Sequence, residues 1–193
     1  MNNKGIGIFD SGLGGLTVAK EIMNMMPKEC IYYLGDTART PYGTKTKETI
    51  VRFSKENTAF LIRKNVKIVV VACNTASALA LKELKNSFKV DIIGVIEAGA
   101  RAAVEATRNR KIGVIGTTAT INSAAYVEAI KKYDRRVRIF GKATPLLVPL
   151  VEEGWLSRKE TELVLRHYLA DFRGLNIDTL VLGCTHYPLL KPL

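Results

Sequence analysis

The chain has 193 residues and a mass of 21.3 kDa, with 47% of residues apolar and 24% charged, enough apolar material for a buried core and so not a disordered chain. Its 29 Lys and Arg outnumber 18 Asp and Glu, for a formal charge of +11, and no stretch approaches the roughly 18 consecutive apolar residues of a membrane span. The start, Met1-Asn2-Asn3-Lys4, leads into too short an apolar run for a secretory signal, and three scattered cysteines (Cys30, Cys73, Cys184) fit neither a disulfide scaffold nor a zinc site, so a soluble, cytoplasmic protein is expected.

In chain order, a strand is expected over 6–9, a helix over 16–26 stopped by Pro27, and a second strand over 31–34. A helix over 46–64, a strand over 67–71, a helix over 76–88 and a strand over 91–95 follow. The rest reads as helix 98–108, strand 111–115, helix 120–133, strand 137–140, helix 157–172 and strand 179–182. The strands are near-continuous runs of Val, Ile and Leu, the pattern of strands buried on both faces. Strand and helix in alternation predict an α/β fold with mostly parallel sheets, whose ligand residues sit in loops at the carboxyl ends of strands.

A weak internal repeat divides the chain. Ile6-Gly7-Ile8-Phe9-Asp10-Ser11 aligns with Ile112-Gly113-Val114-Ile115-Gly116-Thr117, an offset of 106 residues. Val70-Val71-Ala72-Cys73 aligns with Val181-Leu182-Gly183-Cys184, an offset of 111. Two pairs in the same order at nearly one offset predict two homologous halves, 1–95 and 96–193, meeting around residues 95–99. After Cys73 the first half reaches another strand 18 residues on, whereas nine residues follow Cys184. The second half is therefore expected to lack its last strand, as in a sequence cut short.

Cys73 and Cys184 each end an apolar strand and precede a helix, where the dipole and free amides favour a thiolate. A buried cysteine is otherwise simply a small hydrophobe, and Cys30 fits that plainer description. Asp10-Ser11-Gly12-Leu13-Gly14-Gly15 lacks both the dinucleotide fingerprint and the Walker ending. Its glycine amides admit a small anion, or Asp10 simply caps a tight turn. In Asp36-Thr37-Ala38-Arg39-Thr40-Pro41-Tyr42-Gly43, Arg39 either clamps a carboxylate or pairs with Asp36 in an ordinary turn. Glu152 taken alone reads as a surface carboxylate. His186, two residues from Cys184, has the position of a general acid/base or a thiolate partner, while His167 reads as a surface residue. The basic runs 108–111 and 135–138 have neither aromatic interleaving nor a nucleic-acid motif, so a solvated surface is expected.

Four motifs together resemble the glutamate racemases, cofactor-independent amino-acid racemases of bacteria. They are residues 7–15, residues 35–43, Ala72-Cys73-Asn74-Thr75-Ala76 and Gly183-Cys184-Thr185-His186-Tyr187-Pro188-Leu189, in the family order across essentially the whole chain. The second and fourth point to the glutamate rather than the aspartate branch. The resemblance implies two pseudo-symmetric αβα half-domains with an active site in the cleft between them. It also implies a two-base mechanism without cofactor or metal, in which Cys73 acts on D-glutamate and Cys184 on L-glutamate. Asp10 would assist Cys73; Glu152 and His186 would assist Cys184. Substrate contacts carried over are Asp10, Ser11, Tyr42, Gly43, Asn74, Thr75, Thr185 and His186. The implied role is supply of D-glutamate for peptidoglycan, with a small-molecule substrate, no nucleic-acid or membrane partner, and a homodimer left open. Two alternatives remain: a racemase for aspartate or another amino acid, and an inactive fragment that binds a protein partner such as a topoisomerase.

Overall fold

The computed structural model describes residues 4–193; the reading of the chain's start falls on residues 1–3, which lie outside them. Among the described residues, seven strands form two all-parallel sheets. In one, β1 (Gly5–Asp10), β2 (Ile31–Gly35), β3 (Val66–Val71) and β4 (Asp91–Gly94) run in the order β2-β1-β3-β4. In the other, β5 (Lys111–Gly116), β6 (Arg138–Ala143) and β7 (Thr179–Gly183) run in the order β6-β5-β7. The chain divides into two units, Met1–Val95 and Ile96–Leu193.

Within the first unit the sheet is covered on both faces, as its unbroken apolar strands require. Ile6 and Ile8 of β1 pack with Val70 and with Ala19 and Ile22 of α1 (Leu16–Met25). Phe9, Val69 and Val71 face the other way, against Ile50 and Leu61 of α2 (Lys47–Ile62), Ala76 of α3 (Asn74–Leu79) and Leu84 of α4 (Leu81–Ser87). Thr46 caps α2 by accepting the Thr49 amide.

In the second unit, Ile115 of β5 packs with Leu147, Val148 and Val151 of α8 (Leu147–Glu152) and with Leu165 and Tyr168 of α9 (Lys159–Leu169). The opposite face of β5 meets α6 (Thr118–Asn122), because a β-carbon on Gly116 would lie 3.4 Å from Ile121 and Thr120. The helices α5 (Val95–Ala106) and α7 (Ala125–Tyr133) complete the unit, with Ala100, Ala103, Ala129 and Ile130 buried. No helix among the described residues is long and apolar enough to cross a membrane.

Several boundaries differ from expectation for identifiable reasons. The helix expected over 76–88 is two helices, interrupted at Ala80, whose φ is −114°. The helix expected over 120–133 breaks where Ala124 takes a left-handed φ of 56° and the Ser123 hydroxyl accepts the Ala125 amide. No element is expected over 147–152, yet these residues form the helix α8; Pro149 lies in its first turn, where the missing N–H has no partner to lose. The helix expected over 98–108 begins earlier, as α5 at Val95, directly after β4. Cys30 is exposed at the foot of β2 rather than buried as a small hydrophobe.

Candidate active site

The register of each sheet places the two cysteines alike. Phe9 pairs with Val71 across β1 and β3, so Ser11 and Cys73 leave adjacent strands together. Gly116 pairs with Gly183 across β5 and β7, so Thr117 and Cys184 do the same. The glycines permit the close approach: a β-carbon on Gly183 would lie 2.6 Å from the Ile115 carbonyl oxygen.

In the first unit, Asp10 is fully buried. Its Oδ2 accepts the amides of Gly12 at 3.1 Å and Gly15 at 3.0 Å, so these two amides face their own carboxylate rather than an incoming anion. Gly15 has no alternative, since a β-carbon there would lie 2.4 Å from Asp10 Cβ. Cys73 Sγ donates to Ser11 Oγ at 3.6 Å and accepts the Ala76 amide at 3.5 Å, capping α3. Asn74 and Thr75 follow it, both buried. Burial pushes the Cys73 thiol up to about 11, and the Asp10 charge adds to the shift against the opposing bonds from Ala76 and Ser11. The helix terminus alone predicts the reverse; desolvation outweighs it.

The 36–43 loop closes the same unit. Arg39 Nε bonds Asp36 at 2.8 Å, its Nη2 bonds Asn57 Oδ1 at 3.0 Å, and its Nη1 bonds Glu56. The guanidinium is thus committed to protein partners and the ion pair, not the substrate clamp, describes Arg39. Tyr42 donates to Asp36 and accepts from Asn57 Nδ2 at 3.1 Å. It is buried in one cluster with Cys73, and Gly43 follows it in a short 3-10 turn.

In the second unit, His186 lies between two groups. Its Nε2 is 2.5 Å from Glu152 Oε1 and its Nδ1 is 3.5 Å from Cys184 Sγ and from Thr185 Oγ1. An ionised Glu152 only accepts, so Nε2 donates to it, and a neutral His186 then presents the Nδ1 lone pair toward the thiol. Glu152 ends α8, and His186 is 3% exposed in the turn that follows β7. Glu152 is therefore more than the surface carboxylate its own sequence context describes. Next to them, the Tyr187 hydroxyl is 2.7 Å from Thr144 Oγ1, and the Tyr126 ring edge lies against Gly183.

The two surroundings are not equivalent. Where β1 ends in Asp10, β5 ends in Gly116, and the second cysteine has a histidine–carboxylate pair instead. A carboxylate near one thiol disfavours its ionisation, whereas the other thiol has an imidazole within hydrogen-bond reach. Sequence reasoning missed Asn57, Glu56, Thr144 and Tyr126. Of these only Asn57 left a trace, as an amide in the inward-facing series 50, 54, 57, 61 of α2. His167 is exposed, and the basic runs are partly neutralised by Asp134, which pairs with Arg110 at 2.9 Å and Arg136 at 3.0 Å. Among the described residues no group of three or more His, Cys, Asp or Glu could hold a metal ion.

A family model described as Asp/Glu/Hydantoin racemase matches residues 16–193. The glutamate racemase of Geobacter metallireducens is 54% identical over 188 residues, which are 97% of this chain and 70% of that relative. Among solved structures, glutamate racemase isoform RacE1 from Bacillus anthracis is 43% identical with a TM-score of 0.96, covering 100% of this chain and 72% of that one. The Francisella tularensis glutamate racemase, solved in complex with D-glutamate, is 42% identical with a TM-score of 0.93, again over 100% and 72%.

Proposed function

The chain belongs to the Asp/Glu/hydantoin racemase family and is an isomerase, and we propose that it interconverts L- and D-glutamate with Cys73 and Cys184 as the two bases. One cysteine thiolate takes the α-proton: the Cα–H bond breaks, an S–H bond forms, and a carbanion is left. The other cysteine, as thiol, returns a proton to the opposite face, so a C–H bond forms and a thiolate remains. Nothing is oxidised or reduced, and no cofactor is called for. Inversion by this route needs an acid/base on each face of one carbon, and the reading therefore requires each unit to supply one.

The observation that carries the reading is the pair of strand-end cysteines with opposite surroundings. Cys73, held up to about 11 by burial and Asp10, rests as the thiol donor. Cys184, hydrogen-bonded to the His186 lone pair, gives up its proton to become the base. That resting arrangement is primed to remove the proton of L-glutamate and form D-glutamate, the direction that supplies peptidoglycan. Glu152 orients His186, and the proposed substrate contacts are Asp10, Ser11, Tyr42, Gly43, Asn74 and Thr75 of the first unit and Thr185 and His186 of the second. The relative that binds D-glutamate supports the choice of substrate.

Circular dichroism of purified protein incubated with each enantiomer of glutamate and of aspartate tests this. Racemisation of both glutamate enantiomers is expected, with loss of more than about a thousandfold in Cys73→Ala and in Cys184→Ala, the scale on which an essential acid/base acts. Preferred turnover of aspartate would reassign the substrate, and full activity in either variant would remove the two-base mechanism.

A further inference from the structure

We propose that Arg39 and Asn57 are positioning residues that clamp the Tyr42–Gly43 turn over Cys73. Asn57 is 4% exposed, inside the face of α2 that otherwise packs on the sheet. An amide there is costly unless every group is bonded, and an apolar residue would fill the space as well. It is bonded in three directions: Oδ1 accepts from Arg39 Nη2 at 3.0 Å, and Nδ2 donates to Tyr42 Oη at 3.1 Å and to Asp36 Oδ2 at 3.4 Å.

Arg39 is held as completely. Its planar fork joins Asp36 at the end of β2 to Glu56 and Asn57 on α2, and its face lies 4.2 Å over the Phe53 ring. Phe53, Glu56 and Asn57 are three and four residues apart and share one side of the helix. Phe53 also meets the Tyr42 ring at 5.7 Å between centroids. A turn with Pro41 and Gly43 needs none of this to form. What the network adds is a fixed location for Tyr42, which packs in the same buried cluster as Cys73. Arginine suits the task because its rigid fork serves three acceptors at once, which lysine cannot do.

The positioning role rests on the reading that Tyr42 and Gly43 contact glutamate, so its test includes a readout independent of substrate. Arg39→Lys and Asn57→Ala are compared with the wild type and with Lys55→Gln, an exposed position of α2 outside the network. Loosening the turn by one lost buried bond should raise KM by about tenfold and leave kcat within about threefold, since binding rather than proton transfer is affected. The rate of Cys73 alkylation by iodoacetamide, followed on its peptide by mass spectrometry, should rise about fivefold or more as local opening becomes easier. Lys55→Gln should match the wild type in both. Unchanged alkylation overturns the clamp whatever the kinetics. Faster alkylation with an unchanged KM overturns the positioning role, and an equal fall in kcat at constant KM assigns the effect to chemistry and overturns it too. A wild type that does not racemise glutamate defeats the substrate reading, and the alkylation rates then decide the clamp alone.

Discussion

At the scale of single residues, Cys73 shows how burial overrides a helix terminus. A thiol capping a helix gains a hydrogen bond from Ala76 and the attraction of the terminal amides, effects that are modest at a helix of six residues. Taking a charge out of water costs more, and the neighbouring Asp10 carboxylate repels it further, so the thiol moves from the ordinary 9.0 up to about 11. Raising a pKa by one leaves about tenfold less thiolate at a given pH. Alkylation of Cys73 in the free protein should therefore accelerate only as pH approaches about 11. Asp10→Asn should move that rise to lower pH while reducing turnover; a rise left in place would deny Asp10 its electrostatic effect. The raised pKa also has a stability consequence. The folded value lies above the unfolded one, so the neutral thiol's contribution is complete below about 9 and is lost as pH climbs through about 11. Denaturant midpoints over that window should fall in the wild type and fall less in Cys73→Ala.

Among elements, the end of α8 and the turn after β7 make a unit that neither forms alone. Glu152 lies 2.5 Å from His186 Nε2, which leaves Nδ1 toward Cys184. Glu152→Gln offers Nε2 an amide donor or acceptor in place of an obligate acceptor, so the tautomer is no longer fixed. The expected result is a fall in kcat of about tenfold or more at neutral pH, with KM nearly unchanged, because an orienting group acts on proton transfer. A KM effect alone would make Glu152 a binding residue. This pairing was only half legible in the sequence. His186 announces itself two residues from Cys184, but Glu152 lies 34 residues upstream, where no element is expected. The strands were legible because their apolar runs are short and bounded, and the strand-end motifs followed from them. The breaks at Ala80 and Ala124 were not, since helical periodicity runs through both and only backbone geometry interrupts it. Asn57 shows only as an amide on a buried helix face, because its partners, Arg39 and Tyr42, lie 18 and 15 residues away.

Across the whole molecule, the repeat read from the sequence becomes a repeat of sheet register: Phe9 pairs with Val71 as Ile115 pairs with Leu182. Shared topology places the two thiols in equivalent positions, while Asp10 against Gly116 and the His186–Glu152 pair make their chemistry unequal. That combination, equivalent placement with unequal support, predicts that the two half-reactions are separable. In Cys73→Ala, Cys184 retains His186 as its proton acceptor and still removes the α-proton of the enantiomer it serves, L-glutamate by the proposed assignment. With no donor on the other face, the carbanion is reprotonated where it was formed, and deuterium from solvent enters without inversion. In Cys184→Ala the corresponding exchange is expected on D-glutamate alone, and more slowly at neutral pH, because Cys73 must first lose a proton held up to about 11. Proton NMR of each enantiomer in deuterium oxide, combined with chiral analysis, reads both quantities in one sample. Exchange confined to opposite enantiomers in the two variants is the expected outcome. Exchange of both enantiomers by one variant would mean that a single thiol reaches both faces, and the division of labour between the units would have to be abandoned.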